Sequence, residues 1–238
     1  MEAHPATRRV GATAPHTEAA DITRLREFVR RMTELASRTS DEAQLLEGAR
    51  GLLAELIADD RWLPPAFAQP HPEYYQQHLL HCDPLERFSL VSFVWAPGQR
   101  TPIHDHGVWG LIGMLRGAET GQHYRVGDDG RLQPQGGETR LEPGDIEVVS
   151  PTLGDIHRVA NAWPDRVSIS IHLYGGNIGA VARHVFDPET GEPKPFVSGY
   201  SSAVVPNLWD RSAAIRAGLA PVRGSSPSPG TASPGRGG

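Results

Sequence analysis

The sequence predicts a mainly β fold, a small barrel or jelly roll with helices packed outside it, on three observations. From Asp21 to about residue 60, apolar side chains recur at helical spacing; a proline-rich segment, Leu63 to Pro72, breaks that pattern; beyond it the apolar residues fall in short runs between turn signals. Many short strands joined by regular turns make a sandwich or barrel.

Residues 1–20 mix Ala, Thr, Pro and His without a period, and 216–238 are rich in Gly, Pro and Ser, so both are expected to be disordered tails. Residues 21–215 are expected to form one domain whose helical segment spans 21–60. In its first helix Ile22, Leu25, Val29, Met32 and Leu35 form the apolar stripe, with Asp21 as the cap. A second helix opens on a capping box of Thr39 and Glu42, and its stripe of Leu45, Leu46, Ala49, Leu52, Leu53, Leu56 and Ile57 ends near Asp59 and Asp60. Strands are expected at Phe88 to Trp95, Leu111 to Leu115, Ile146 to Val149, Arg158 to Ala160 and Val167 to Tyr174. The turns between them carry Pro97-Gly98, Gly127-Asp128-Asp129-Gly130, Gly136-Gly137 and Pro143-Gly144-Asp145.

Composition removes several function classes. With 23 Lys and Arg against 28 Asp and Glu, the net charge is −5 and no basic run is present. Nucleic acid and anionic membrane are therefore not expected partners, because both are bound through clustered cations. The chain has neither a bilayer-length apolar stretch nor an apolar leader core, so a cytoplasmic location is expected. Its one cysteine, Cys82, excludes an internal disulfide or a CxxC site, leaving His, Asp and Glu as metal ligands. No glycine-rich nucleotide loop is present. Oligomeric state is not legible.

Gly98 to Asn161 carries the chemistry. His104 and His106 stand two apart, so in a strand their imidazoles project from one side, and His157 follows about fifty residues on. The first frame runs Gly98, five residues, His104-Asp105-His106, three residues, Gly110, six residues, Gly117; the second runs Pro151 to Gly154, two residues, His157, three residues, Asn161. In these frames the chain resembles the cupin family, with one extra residue between Pro151 and Gly154. Most cupins carry a glutamate ligand where this chain has Gly110. Three neutral imidazoles without a carboxylate suit Fe, Zn, Cu or Ni and leave the metal its full charge, which favours an anionic thiolate ligand.

Val167 to Tyr174 alternates strictly, with Val167, Ile169, Ile171 and Leu173 on one side and Ser168, Ser170, His172 and Tyr174 on the other. The second side either meets water or lines the barrel lumen, where a Ser-x-His-x-Tyr row relays hydrogen bonds toward a ligand. From about Tyr75 to Arg183 the chain resembles the cysteine dioxygenase family of thiol dioxygenases, a cupin branch with three histidine ligands and a Ser-His-Tyr triad. The resemblance implies Fe(II) held by His104, His106 and His157, with Ser170, His172 and Tyr174 as the triad. Gln77 stands where mammalian members have a carboxylate-binding arginine, and no cysteine near Gly110 is available to cross-link Tyr174. In these respects the chain is similar to bacterial 3-mercaptopropionate dioxygenases, whose carboxylate-binding arginine lies nine residues after the triad tyrosine, as Arg183 does here. The implied partners are a small thiol carboxylate, whose carboxylate Arg183 and Gln77 are expected to bind, and O2.

Alternatives stay open at this point. Gln77 is otherwise a polar helix or turn residue, and Arg183 otherwise pairs with Asp187 or Glu189. Cysteine dioxygenase shares every iron ligand, and a non-catalytic metal-binding cupin sensor shares the frames. Cys82, His78, His81, His123 and His184 lack frame partners and are expected to be structural or surface residues. Asp105, pointing away from its histidine neighbours, is expected to bond backbone and to steady them.

Overall fold

The computed structural model describes residues 21–202 and Leu208. The two expected tails, and the expected far boundary of the domain at 215, lie outside these residues. Two helices precede eleven strands: α1 (Thr23–Arg38), α2 (Glu42–Ile57), β1 (Gln76–Cys82), β2 (Ser89–Trp95), β3 (Ile103–His104), β4 (Gly110–Arg116), β5 (Glu119–Val126), β6 (Leu132–Leu141), β7 (Ile146–Val149), β8 (Ile156–Asn161), β9 (Ser168–Tyr174), β10 (Arg183–Phe186) and β11 (Pro193–Phe196).

The strands form a five-stranded sheet, β1-β2-β9-β4-β7, and a six-stranded sheet, β11-β10-β3-β8-β5-β6. From β2 to β10 the chain passes back and forth between the two, except at the β5–β6 hairpin, which stays in the second sheet; this is the jelly roll that the sequence predicts. Every strand pairing is antiparallel. The core between the sheets holds Leu79, Val91, Phe93, Trp95, Ile112, Val149, Val159 and Tyr174. On the outside of the first sheet α2 lies across β4, so close that a Cβ on Gly113 would meet the Leu53 and Ile57 side chains at 3.1 Å. β9 is consequently buried on both faces along its whole length, which excludes the water-facing alternative for its polar row.

Both helix starts differ in detail from expectation. Ile22 takes the cap position of α1 without a side-chain bond, while Asp21 accepts from the Thr23 N–H at 3.0 Å. Asp41, not Thr39, caps α2 by accepting from the Gln44 N–H at 2.9 Å. Glu42 does not close a capping box because its carboxylate is engaged elsewhere, by the hydroxyls of Thr152, at 2.6 Å, and Ser150. Gln77 lies in a strand, β1, rather than in a helix or turn.

Candidate metal centre

His104 ends β3 and faces His157 directly across the β3–β8 ladder, so that both imidazoles rise from neighbouring strands on one face. His106 reaches them differently. β3 stops at His104, and His106 sits in the following loop, so strand alternation does not place it. Asp155, just before β8, does: its carboxylate accepts from the backbone N–H of His106 (3.1 Å) and of Gly107 (2.9 Å) and binds His106 Nδ1 at 2.8 Å. The three imidazole centroids are 4.8–4.9 Å apart, and one ring nitrogen from each lies within 4.8 Å of the others.

The residues present fit a metal ion. Among the described residues, His106 Nε2 and His157 Nδ1 are buried without a hydrogen-bond partner, an arrangement that costs free energy unless something else satisfies them. Burial and the neighbouring imidazoles push the pKa of His104 down to about 3 and that of His157 well below the usual value. Both are therefore neutral near pH 7, as a ligating imidazole must be. Burial would raise the Asp155 carboxyl, but its hydrogen bonds from His106 and Gly107 hold it below the ordinary range, so it remains a carboxylate that orients His106.

At Gly110, the position where a cupin glutamate was expected, a Cβ would stand 2.8 Å from the Tyr174 ring and 2.9 Å from Val149. No side chain fits there without moving Tyr174, so the carboxylate-free donor set and the tyrosine come together.

The β9 row is continuous. Ser170 Oγ and His172 Nε2 are 2.8 Å apart, as are His172 Nδ1 and the Tyr174 hydroxyl. Tyr174 stacks on His106 at 5.5 Å between centroids, so the row ends against the histidine cluster. Burial lowers the His172 pKa far below the usual value and raises that of Tyr174, leaving both neutral at physiological pH.

One small pocket joins these parts. It is lined by His104 and His157, by His172 and Tyr174, by Gln77 and Arg183, and by an aromatic wall that includes Tyr75, Phe93, Trp95 and Phe196. Arg183 is 5% exposed, lies over the Phe196 ring at 4.8 Å, and has its Nε without a partner among the described residues. It does not pair with Asp187, whose carboxylate instead accepts the N–H groups of Glu189 and Thr190 at 3.0 and 2.9 Å. Gln77 is placed at the pocket, but its amide nitrogen already donates to Ser198 Oγ (3.0 Å) and the Gly199 carbonyl (2.6 Å). Its N–H groups are not free to grip a carboxylate.

Several neighbours escaped the sequence reading. Asp155 precedes His157 by two residues, a spacing that gives a possible signal, while Tyr75, Trp95 and buried Glu119 carry none. Asp105 does bond backbone, accepting the His184 N–H at 2.6 Å, and it also holds the His184 ring at 2.9 Å. The steadying role expected of it falls to Asp155. His123, which has no partner in the two frames and was expected to be a structural or surface residue, pairs with Glu147 at 2.7 Å, and these two with His157 form a second group close enough to share an ion.

No protein-family model matches the chain. Similar solved structures include an uncharacterized conserved protein with a double-stranded beta-helix domain from Klebsiella pneumoniae, 21% identical, covering 48% of this chain and 89% of that one with a TM-score of 0.36. A cupin superfamily protein from Desulfitobacterium hafniense is 14% identical, covering 46% of this chain and 84% of that one (TM-score 0.35). A cupin 2 conserved barrel domain protein from Salinispora arenicola is 18% identical, covering 48% and 86% (TM-score 0.36). The fold class rests on the strand order itself. Fold and site together define a jelly-roll protein with a three-histidine cluster that could hold a metal ion.

Proposed function

We propose that the protein is a non-haem Fe(II) thiol dioxygenase that converts 3-mercaptopropionate and O2 to 3-sulfinopropionate. The observation that carries this reading is the pocket lined together by His104 and His157 of the carboxylate-free histidine cluster, by His172 and Tyr174 of the β9 row, and by Arg183, whose Nε has no partner among the described residues. Iron held by His104, His106 and His157 would supply a Lewis acid that favours the thiolate form of the substrate and a redox centre through which O2 reacts. The overall change is balanced without a second cofactor. Both oxygen atoms go to sulfur, the thiol loses four electrons in becoming a sulfinate, and O2 accepts four.

The chain's own groups have distinct tasks. Arg183 anchors the substrate carboxylate through charge-assisted hydrogen bonds, which are worth most in a water-poor pocket. Tyr174 offers its hydroxyl to the reacting end, held there by His172, and Ser170 fixes the His172 ring. The aromatic wall excludes water from the thiolate. Gln77 contributes shape and an amide oxygen rather than a second grip on the carboxylate.

Gln77 gives one argument for cysteine as the substrate. With its N–H groups spent, it presents an acceptor, which suits an ammonium group better than a carboxylate. Turnover of 3-mercaptopropionate and L-cysteine by the Fe(II)-loaded protein at matched concentrations decides between them. Higher kcat/KM for 3-mercaptopropionate, with the sulfinate identified as product, is expected; a clear preference for cysteine overturns the substrate assignment.

A further inference from the structure

Glu119 opens β5 and is completely buried, at 0% exposure, yet both of its carboxyl oxygens lack a protein hydrogen-bond partner among the described residues. A charged carboxylate left so would be very costly, and even a neutral one needs a use for its polar atoms. The polar side chains beside it are those of Ser170 and Trp95. Trp95 Nε1 in turn donates to Ser170 Oγ at 3.4 Å. Glu119 thus lies at the inner end of the Ser170-His172-Tyr174 row, opposite the end that meets the histidine cluster.

We propose that Glu119 is a positioning residue, the inner terminus of this row, which in its neutral form donates to Ser170 and so sets the direction of every hydrogen bond out to Tyr174. The direction follows from counting donors. If the Glu119 hydroxyl donates to Ser170 Oγ, the Ser170 hydroxyl donates to His172 Nε2, His172 carries its proton on Nδ1 and donates it to the Tyr174 oxygen, and the Tyr174 proton is left to point into the pocket. If Glu119 is ionised, each step reverses. Ser170 donates to the carboxylate, His172 carries its proton on Nε2, and Tyr174 spends its proton on His172 Nδ1. Only the first arrangement lets Tyr174 donate to a pocket ligand. Trp95 serves both, since Ser170 Oγ accepts its N–H in either case.

The surroundings favour the neutral form. Burial pushes the Glu119 pKa up to about 8, against the opposing influence of the nearby Ser170 hydroxyl, and the Glu147 carboxylate adds to the rise. Glu147, on β7, is itself paired with His123 of β5, whose pKa is raised chiefly by that hydrogen bond. From β9 the titratable members are His172, whose pKa burial holds far below the usual value, and Tyr174, whose pKa burial raises, so both are neutral; from β2 the neighbour is uncharged Trp95. The residues directly opposite Glu119 in the sheet, Leu141 of β6 and Asn161 of β8, carry no charge. The row therefore runs toward the pocket below about pH 8 and away from it above.

The proposal rests on the thiol dioxygenase reading only for its catalytic consequence, so its primary test needs no substrate. Nitrogen-15 NMR of His172 in the full chain, metal-free and loaded with diamagnetic Zn(II), reports which ring nitrogen is protonated. The expected result is Nδ1–H at pH 6–7 with a change to Nε2–H as the pH rises through about 8. Glu119→Gln, which keeps a neutral donor, is expected to hold Nδ1–H across the range, and Glu119→Leu is expected to show no transition either but to lose the fixed tautomer. A tautomer that does not change with pH in the unsubstituted protein, or one that changes identically in Glu119→Gln, overturns the proposal. Where thiol-dependent O2 uptake is found, Glu119→Gln is expected to abolish the alkaline decline in kcat while leaving KM unchanged. Loss of activity in the unsubstituted protein together with an intact His172 transition would refute the enzyme assignment and not the role of Glu119.

Discussion

Gly110 links two features of the site that looked separate in the sequence. The absent carboxylate ligand and the presence of Tyr174 are one steric fact, because a Cβ at 110 would strike the tyrosine ring at 2.8 Å. Gly110→Ala is expected to destabilise the protein by about 1–3 kcal/mol through overpacking, measured by denaturant titration, and an unchanged midpoint would contradict the tight fit. Asp155 is the orienting partner of His106, and such partners are typically worth roughly 10–100-fold in metal affinity. Asp155→Asn is expected to weaken Zn(II) binding by about that factor in a competition titration, and equal affinity would leave His106 without need of it. Arg183→Ala should lower kcat/KM for a thiol carboxylate by roughly 10–100-fold, as expected for removing a hydrogen bond to a charged group worth about 1.5–3 kcal/mol; the same loss for a thiol lacking the carboxylate would deny it the anchoring role. At this scale the sequence disclosed the residues whose chemistry requires a particular type and spacing, the three histidines and the Ser-His-Tyr row. It concealed Asp155 and Glu119, since a carboxylate becomes an orienting group only through the partner that folding brings to it.

Elements were legible in proportion to the regularity of their burial. α2 has a continuous apolar stripe and was visible to within a few residues, and β9 alternates over its full length. β6 is exposed along most of its ten residues, and its Gly136-Gly137 pair reads as a turn, so nothing apolar marked it as a strand. β1, with sequence QQHLLHC, mixes polar residues into a strand that is mostly buried, so no alternation marked it. His106 marks the limit of inference from period, as β3 ends before it and a carboxylate from the other frame takes over the placement. The packing of α2 onto β4 is a separate matter from the site. Leu53, at 0% exposure, fills the space over Gly113, and Leu53→Ala is expected to cost about 2–5 kcal/mol while leaving Zn(II) affinity unchanged. A parallel loss of metal binding would mean that the helices shape the pocket through the sheet.

Over the whole molecule, the jelly roll turns residues far apart in sequence into one chamber with chemically distinct walls: neutral imidazoles on β3 and β8, a hydrogen-bonded row on β9, and a cation on β10. Stability has its own pH dependence, seated away from this chamber. Asp83, 1% exposed in the turn after β1, accepts Arg87 Nε and Nη2 at 2.8 and 2.7 Å, and this pairing holds its pKa below the ordinary value. A lowered carboxylate pKa stabilises the fold above the unfolded value of about 4, and that contribution disappears as the pH falls through the folded one. Asp83→Asn should therefore be less stable than the unsubstituted protein at pH 7, with the gap closing under acid.

The reaction proposed for the three histidines and the pocket beside them is oxidation of a thiol by molecular oxygen. Oxygen consumption by anaerobically Fe(II)-loaded protein, measured on adding 3-mercaptopropionate with the His106→Ala variant in parallel, tests it most directly. Uptake of one O2 for each thiol converted to sulfinate is expected, with its loss in the variant. No thiol-dependent uptake, as a metal-binding sensor would show, or full activity in His106→Ala, would contradict it.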